Sequence, residues 1–257
     1  VTTLLNKLGL LAPTSSIVEV KVNGNKYSKY LLQEELGKEF IESRGLVEGP
    51  LLEGDQRFTT EQVSSNKWKG ELGLAKIINS SYSIKDKSNT KLSFYALSIL
   101  NNIFIDSDES SEKLRRCYNN FVTINKDKYL NDSYELRTNQ LYEALIYATQ
   151  TYHGFTCDDR KFYFDPIRKI LLPIYNDGKS SLDYNNSTNT LPKATINAIE
   201  GASEALNQLN RLDNQSFFSE LRDRGFDLDY DSFKKIKEKV ISNLEYLDKL
   251  DKIEVYK

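Results

Sequence analysis

The chain has 257 residues, with 35 Lys and Arg against 37 Asp and Glu, one His and two Cys. That length can bury a real core, as one larger domain or two tightly joined lobes, and a net charge of −2 lacks the electrostatic signature of a nucleic-acid binder. No apolar run approaches the roughly eighteen residues of a membrane-spanning helix, Cys117 and Cys157 cannot build a disulfide framework, and a lone histidine argues against a zinc site of the usual kind.

In chain order, residues 1–11 read as a short amphipathic helix stopped by Ala12-Pro13. Ser16 to Val22 alternates like a half-buried strand. Asn23-Gly24-Asn25 is the strongest hairpin signal in the sequence, and Tyr27 to Leu32 reads as the returning strand. Residues 33–45 suggest a short helix ended near Gly45, and 46–70 an ordered loop in which Trp68 is an anchor packed on the protein. From about 71 to 151 the pattern is helical, with Leu92, Tyr95, Ala96, Ile99, Leu100 and Ile103 on one face and Leu141, Leu145, Ile146 and Ala148 on another. Two apolar runs follow, Lys161 to Phe164 and Ile170 to Tyr175, joined by the turn-forming Asp165-Pro166. Residues 183–192 form a Ser/Asn-rich loop. Two helices, about 193–213 and 231–250, close the chain; the second carries Phe233, Ile236, Val240, Leu244, Leu247 and Leu250 at helical spacing.

The hairpin over 157–178, CDDRKFYFDPIRKILLPIYNDG, carries acidic groups at both open ends. Its turn centre lies near Ile167 and Arg168, so Asp159 is expected to meet Asn176 or Asp177. Two carboxylates a few ångströms apart repel unless a divalent cation lies between them or one holds a proton, and oxygen ligands suit Mg²⁺ or Mn²⁺. The plainer reading is that Asp, Asn and Gly collect at strand ends and turns for conformational reasons.

The run VEVKVNGNKYSKYLLQEELGKEFIESRG, followed by EGPLLEGD and by HGFTCDDRKFYFDPIRKILLPIYNDG, resembles the CotH family of atypical protein kinases, first known from spore-coat assembly and present in many other bacteria. The resemblance runs from residue 1 to about 180 and is weaker in the helical middle. It implies an α+β, protein-kinase-like two-lobe fold. Residues 1–34 would be the remaining part of a small β-containing N-terminal lobe and its hinge, and 35–257 a mainly helical C-terminal lobe with the metal-site hairpin at 157–178. It further implies transfer of the ATP γ-phosphoryl group to Ser or Thr of a protein acceptor. Leu32, Gln33 and Glu34 would meet the adenine through their backbone, and Asp177, followed by Gly178, would hold the nucleotide-bound Mg²⁺ or Mn²⁺. Asp159 or Asp158 would supply a second metal ligand or orient the acceptor hydroxyl.

The sequence departs from the kinase pattern at His153-Gly154-Phe155, where Phe155 stands in place of the acid of the histidine-arginine-aspartate motif. His153 is expected to position the catalytic segment or to end the preceding helix. Cys157, beside two aspartates, has its thiolate disfavoured by their charge. Lys21, Lys26 and Lys29 read as solvated surface lysines. The chain opens on valine and contains no methionine, so further N-terminal residues, including a phosphate-binding loop and its lysine, are expected before it. The alternatives to a kinase are a pseudokinase-like binding scaffold and, more distantly, a hydrolase using the same aspartates.

Overall fold

The computed structural model describes residues 1–55, 75–106, 124, 126–130, 132–156, 159–182 and 194–250. The fold is mixed α+β, with two small antiparallel sheets. Its elements are α1 (Thr2–Lys7), β1 (Ser15–Val20), β2 (Ser28–Gln33), α2 (Lys38–Glu42), β3 (Leu51–Gly54), β4 (Ala75–Ile77), α3 (Ser80–Ile84), α4 (Lys87–Asp106), α5 (Lys126–Tyr129), α6 (Ser133–Ala148), a 3-10 turn (Tyr152–Phe155), β5 (Lys161–Asp165), β6 (Ile170–Ile174), α7 (Ile196–Arg211), α8 (Asn214–Asp223) and α9 (Tyr230–Asp248). Among the described residues no helix is long and apolar enough to cross a membrane.

The larger sheet has the order β4-β3-β5-β6. Successive strand residues point to opposite faces, and β5 and β6 are apolar on both. Phe162, Phe164 and Leu171 pack with Leu52 against Ala96, Leu100, Ile103 and Phe104, the last four on α4. Tyr163, Ile170, Leu172 and Ile174 turn the other way, onto Leu11, Phe40 and Ile41. That two-sided burial explains why these strands read as continuous apolar runs. Tyr95, expected on the inner face of α4, is half exposed and meets the Phe164 ring edge-on at 5.9 Å.

Two expectations are corrected by this sheet. Residues 46–70 contain a strand, β3, and the stretch read as helical from 71 contains another, β4. With four and three residues, they are too short to show a period. Pairing with distant β5 and with each other makes them strands. Trp68 and both cysteines fall outside the described residues.

The main core is helical. Residues 141–148 of α6 are all buried, and α1, α7 and α9 contribute Leu4, Leu5, Ala198, Ala202, Val240 and Leu244 to the same cluster. A Cβ on Gly201 would lie 2.1 Å from the Gln140 carbonyl oxygen, so glycine lets α7 approach the α6 backbone. Helix starts are set by side-chain caps: Asp132, Thr195, Asp213 and Asp229 each accept from a backbone N–H in the first turn. Asp213 begins α8, a helix absent from the sequence reading.

The β1–β2 ribbon stands apart from the larger sheet. Its tight turn passes through Asn23 and Gly24, both at positive φ, with Asn25 N–H donating to Val22 O at 3.0 Å. Every position of β2 is exposed. At the ribbon's base Glu34 accepts from both Arg44 guanidinium nitrogens, and Arg44 also donates to Ala12 O at 2.6 Å.

Candidate metal centre

Two segments bring the acidic groups together. Strand β5 leaves the 3-10 turn and strand β6 returns, with Lys161 opposite Ile174. Continued outward, this register puts Asp159 opposite Asn176, next to Asp177. Ligand atoms of His153, Asp159 and Asp177 all lie within 4.8 Å of one another. Asp159 is buried, His153 half-buried and Asp177 exposed, so the cluster opens to solvent on the Asp177 side.

Glycines make the crossing fit. A Cβ on Gly154 would lie 3.4 Å from Asn176 O, and one on Gly178 would lie 2.6 Å from the Tyr175 hydroxyl and 2.7 Å from Thr151 Cβ. Asp177 and Lys179 flank Gly178 with φ of 31° and 44°, a left-handed excursion that Asp tolerates better than most residues. It turns the chain so that the Asp177 carbonyl faces the imidazole.

His153 Nδ1 lies 2.7 Å from Asp159 Oδ2 and 3.1 Å from Asp177 O, while Nε2 lies 3.2 Å from Lys179 Nζ. These partners assign the neutral tautomer: Nδ1–H donates to the two oxygens and Nε2 accepts from the ammonium. Lys179 Nζ is also 3.6 Å from Asp177 Oδ2, and Thr156 Oγ1 is 3.2 Å from Asp159 Oδ2.

Beside the cluster, Lys161 pairs with Glu53, which reaches Lys76 at 3.0 Å. Burial lowers the Lys161 pKa, and the negative charge of Asp177 acts against that shift. The ammonium therefore sits within the field of the candidate metal ligand. Behind it, the fully buried Arg160 donates to Glu143 at 2.7 Å, and Glu143 also accepts from Thr195 and Asn197. The Arg160 guanidinium lies between the Phe155 and Phe162 rings, at 5.6 and 5.3 Å from their centroids. Asp159 is thus attached to a rigid anchor.

The donor set fits a divalent cation. Two carboxylates supply hard oxygen ligands, and a cation that took the place of the Lys179 ammonium at Nε2 would gain an imidazole nitrogen, which suits Mn²⁺ better than Mg²⁺. Of the residues singled out in the sequence, Asp159 and Asp177 meet, Asp158 lies outside the described residues, and Leu32, Gln33 and Glu34 lie at the end of β2 and the base of the ribbon. Leu32 and Gln33 are exposed. Partial burial raises the Glu34 pKa, but hydrogen bonds from Arg44 and Thr14 outweigh it, so the carboxyl is held below its usual value. Glu34 therefore pins the segment structurally. His153 is the member of the cluster that the sequence did not reveal as a ligand. Compared with family models and with curated proteins, the chain matches none of them.

Proposed function

We propose that the chain is an atypical kinase of the CotH kind, transferring the γ-phosphoryl group of ATP to Ser or Thr of a protein acceptor with Mn²⁺ or Mg²⁺. The observation that carries this reading is the convergence of His153, Asp159 and Asp177 at the open end of a hairpin. A divalent cation held there would supply charge neutralisation, the main demand of phosphoryl transfer.

The chain's own residues have separable roles. Asp159, Asp177 and, with Lys179 displaced from Nε2, His153 would hold the cation. Arg160 and Glu143 keep Asp159 from swinging, and Gly154 and Gly178 let the two segments touch. Lys161, between Glu53 and the field of Asp177, offers a fixed positive charge near the phosphates. Asp158 or Asp159 orients the acceptor hydroxyl. In a two-lobe arrangement the ribbon belongs to the small lobe, ending at Glu34, and the backbone of Leu32 and Gln33 receives the adenine edge.

A second reading has its own support. Lys179 already places an ammonium 3.2 Å from His153 and 3.6 Å from Asp177, a built-in cation that would suit a pseudokinase-like scaffold. The two readings separate on incubation with radiolabelled ATP, a Ser/Thr-rich acceptor protein and Mn²⁺ or Mg²⁺. The kinase reading expects metal-dependent phosphoserine or phosphothreonine, lost in Asp177→Asn. ATP binding with no transfer under either metal selects the scaffold, and no nucleotide binding at all overturns the kinase reading.

A further inference from the structure

A cation already stands at the His153 cluster, and it belongs to the chain. Lys179 Nζ lies 3.2 Å from His153 Nε2 and 3.6 Å from Asp177 Oδ2, so one ammonium lies against two of the three groups that could ligate a metal. The backbone beneath it is pinned on both sides. Gly178 packs against the Tyr175 hydroxyl and Thr151, while Ser180 Oγ donates to Thr149 O at 2.9 Å and Ser181 N–H to Gln150 O at 3.0 Å. Between these anchors Lys179 holds φ at 44°, a left-handed conformation that costs a lysine more than a glycine. Position 179 is therefore fixed beside the cluster, and its freedom lies in the unbranched stem of the side chain.

That contact is exchangeable where its neighbours are not. Arg160 and Glu143 are fully buried, and the side chains of Lys161 and Glu53 are only 15% and 13% exposed, so parting either pair leaves a desolvated charge. The Lys179 side chain is 61% exposed and that of Asp177 52%. An ion pair so open to water contributes little, and the ammonium can swing into solvent on its stem. It cannot stay when a divalent cation takes the same groups, because like charges a few ångströms apart repel and His153 Nε2 has a single lone pair to give.

We propose that Lys179 is a tethered competitor of the metal: its ammonium balances the cluster's negative charge and must leave His153 Nε2 and the Asp177 carboxylate before a divalent cation can take them. The inference rests on the candidate metal centre and supplies its regulation. The charge at position 179 sets the metal affinity, and neutralising it opens the site.

A charge series at position 179 of the full chain tests the proposal. Arg, Met and Glu are all unbranched like Lys, so the backbone cost at this φ is common to the series. Uptake of Mn²⁺ is followed by electron paramagnetic resonance. His153 is the one histidine of the chain, so broadening of its imidazole proton signals shows by nuclear magnetic resonance that the ion binds at this cluster. Lys179→Arg, which keeps the charge, should bind Mn²⁺ no more tightly than wild type. Lys179→Met should bind it about fivefold more tightly, the upper scale of an exposed ion pair, and Lys179→Glu about tenfold or more. Displacement itself is read from the rate at which an N-hydroxysuccinimide ester labels Lys179 in wild type, which should rise at saturating Mg²⁺. Broadening of the His153 signals with equal affinity across the four proteins, or labelling unchanged by metal, overturns the proposal and leaves the metal centre standing. No uptake and no broadening in folded wild type and folded Lys179→Met overturns both.

Discussion

His153 Nδ1 and Asp159 Oδ2 stand 2.7 Å apart, a contact that fastens the 3-10 turn after α6 to the segment just before strand β5. Through the same nitrogen the imidazole also reaches the Asp177 carbonyl, so one ring ties both open ends of the hairpin together. The candidate metal centre is built on this junction.

Asp177→Asn removes an anionic ligand while keeping the side chain's volume. Asn tolerates the observed φ of 31° at least as well as Asp, and the side chain is half exposed, so the fold should survive with a melting temperature close to that of wild type. Metal-dependent phosphoryl transfer should fall by at least about two orders of magnitude, the scale of losing one preorganised electrostatic contact. Steady-state ATP turnover beside thermal melts checks both halves.

Replacing His153 by Gln should change metal preference more than total binding. The imidazole nitrogen favours Mn²⁺, whereas the two carboxylates serve either ion. Turnover with Mn²⁺ relative to Mg²⁺ should therefore drop, by roughly tenfold if one ligand contributes about 1.4 kcal/mol to the discrimination. Equal loss with both metals would assign His153 a purely structural role.

Glu135 gives a pH signature of the fold itself. Its buried carboxyl accepts from Leu171 N–H at 2.7 Å and is pushed by burial from 4.5 up to about 7, against the lowering effect of that hydrogen bond. Because the folded state holds the proton more tightly, this group's contribution to stability is complete below pH 4.5. It declines as the pH rises to 7, by on the order of 2–3 kcal/mol. Glu135→Gln keeps the acceptor without the charge. Urea denaturation from pH 4.5 to 8 should show a flatter profile for the variant, and higher stability than wild type above pH 7.

The Arg160–Glu143 pair is fully buried, so breaking it from one side leaves a charge without its counter-ion. Glu143→Ala should cost about 3–5 kcal/mol, and the double change to Met at both positions should cost less than that single one. Chemical denaturation of wild type and the two variants measures the difference; a double variant at least as destabilised as Glu143→Ala would contradict the coupling.

The hairpin was legible because Phe162, Tyr163 and Phe164 face Pro173, Leu172 and Leu171 in a purely local register, and the turn residues fix it. Strands β3 and β4 were not, since their identity comes from pairing across the chain. Helix α8 went unread because its apolar stripe is short: Phe217 is its one fully buried residue, although Asp213 was available as a cap signal. His153 was missed for a geometric reason. Its ring reaches Asp177 only because Gly154 and Gly178 let the two backbone segments approach, and no spacing in the sequence encodes that crossing.

The proposed function requires the His153–Asp159–Asp177 cluster to hold a divalent cation. Electron paramagnetic resonance of free Mn²⁺, titrated into the full chain with and without ATP, measures it directly. Wild type should remove one Mn²⁺ per chain from the free pool, more tightly with ATP, and both Asp159→Asn and Asp177→Asn should weaken that binding by about tenfold or more. Equal Mn²⁺ uptake by wild type and both variants, or none by wild type, would show that these carboxylates are hairpin-end residues held by protein contacts without a metal.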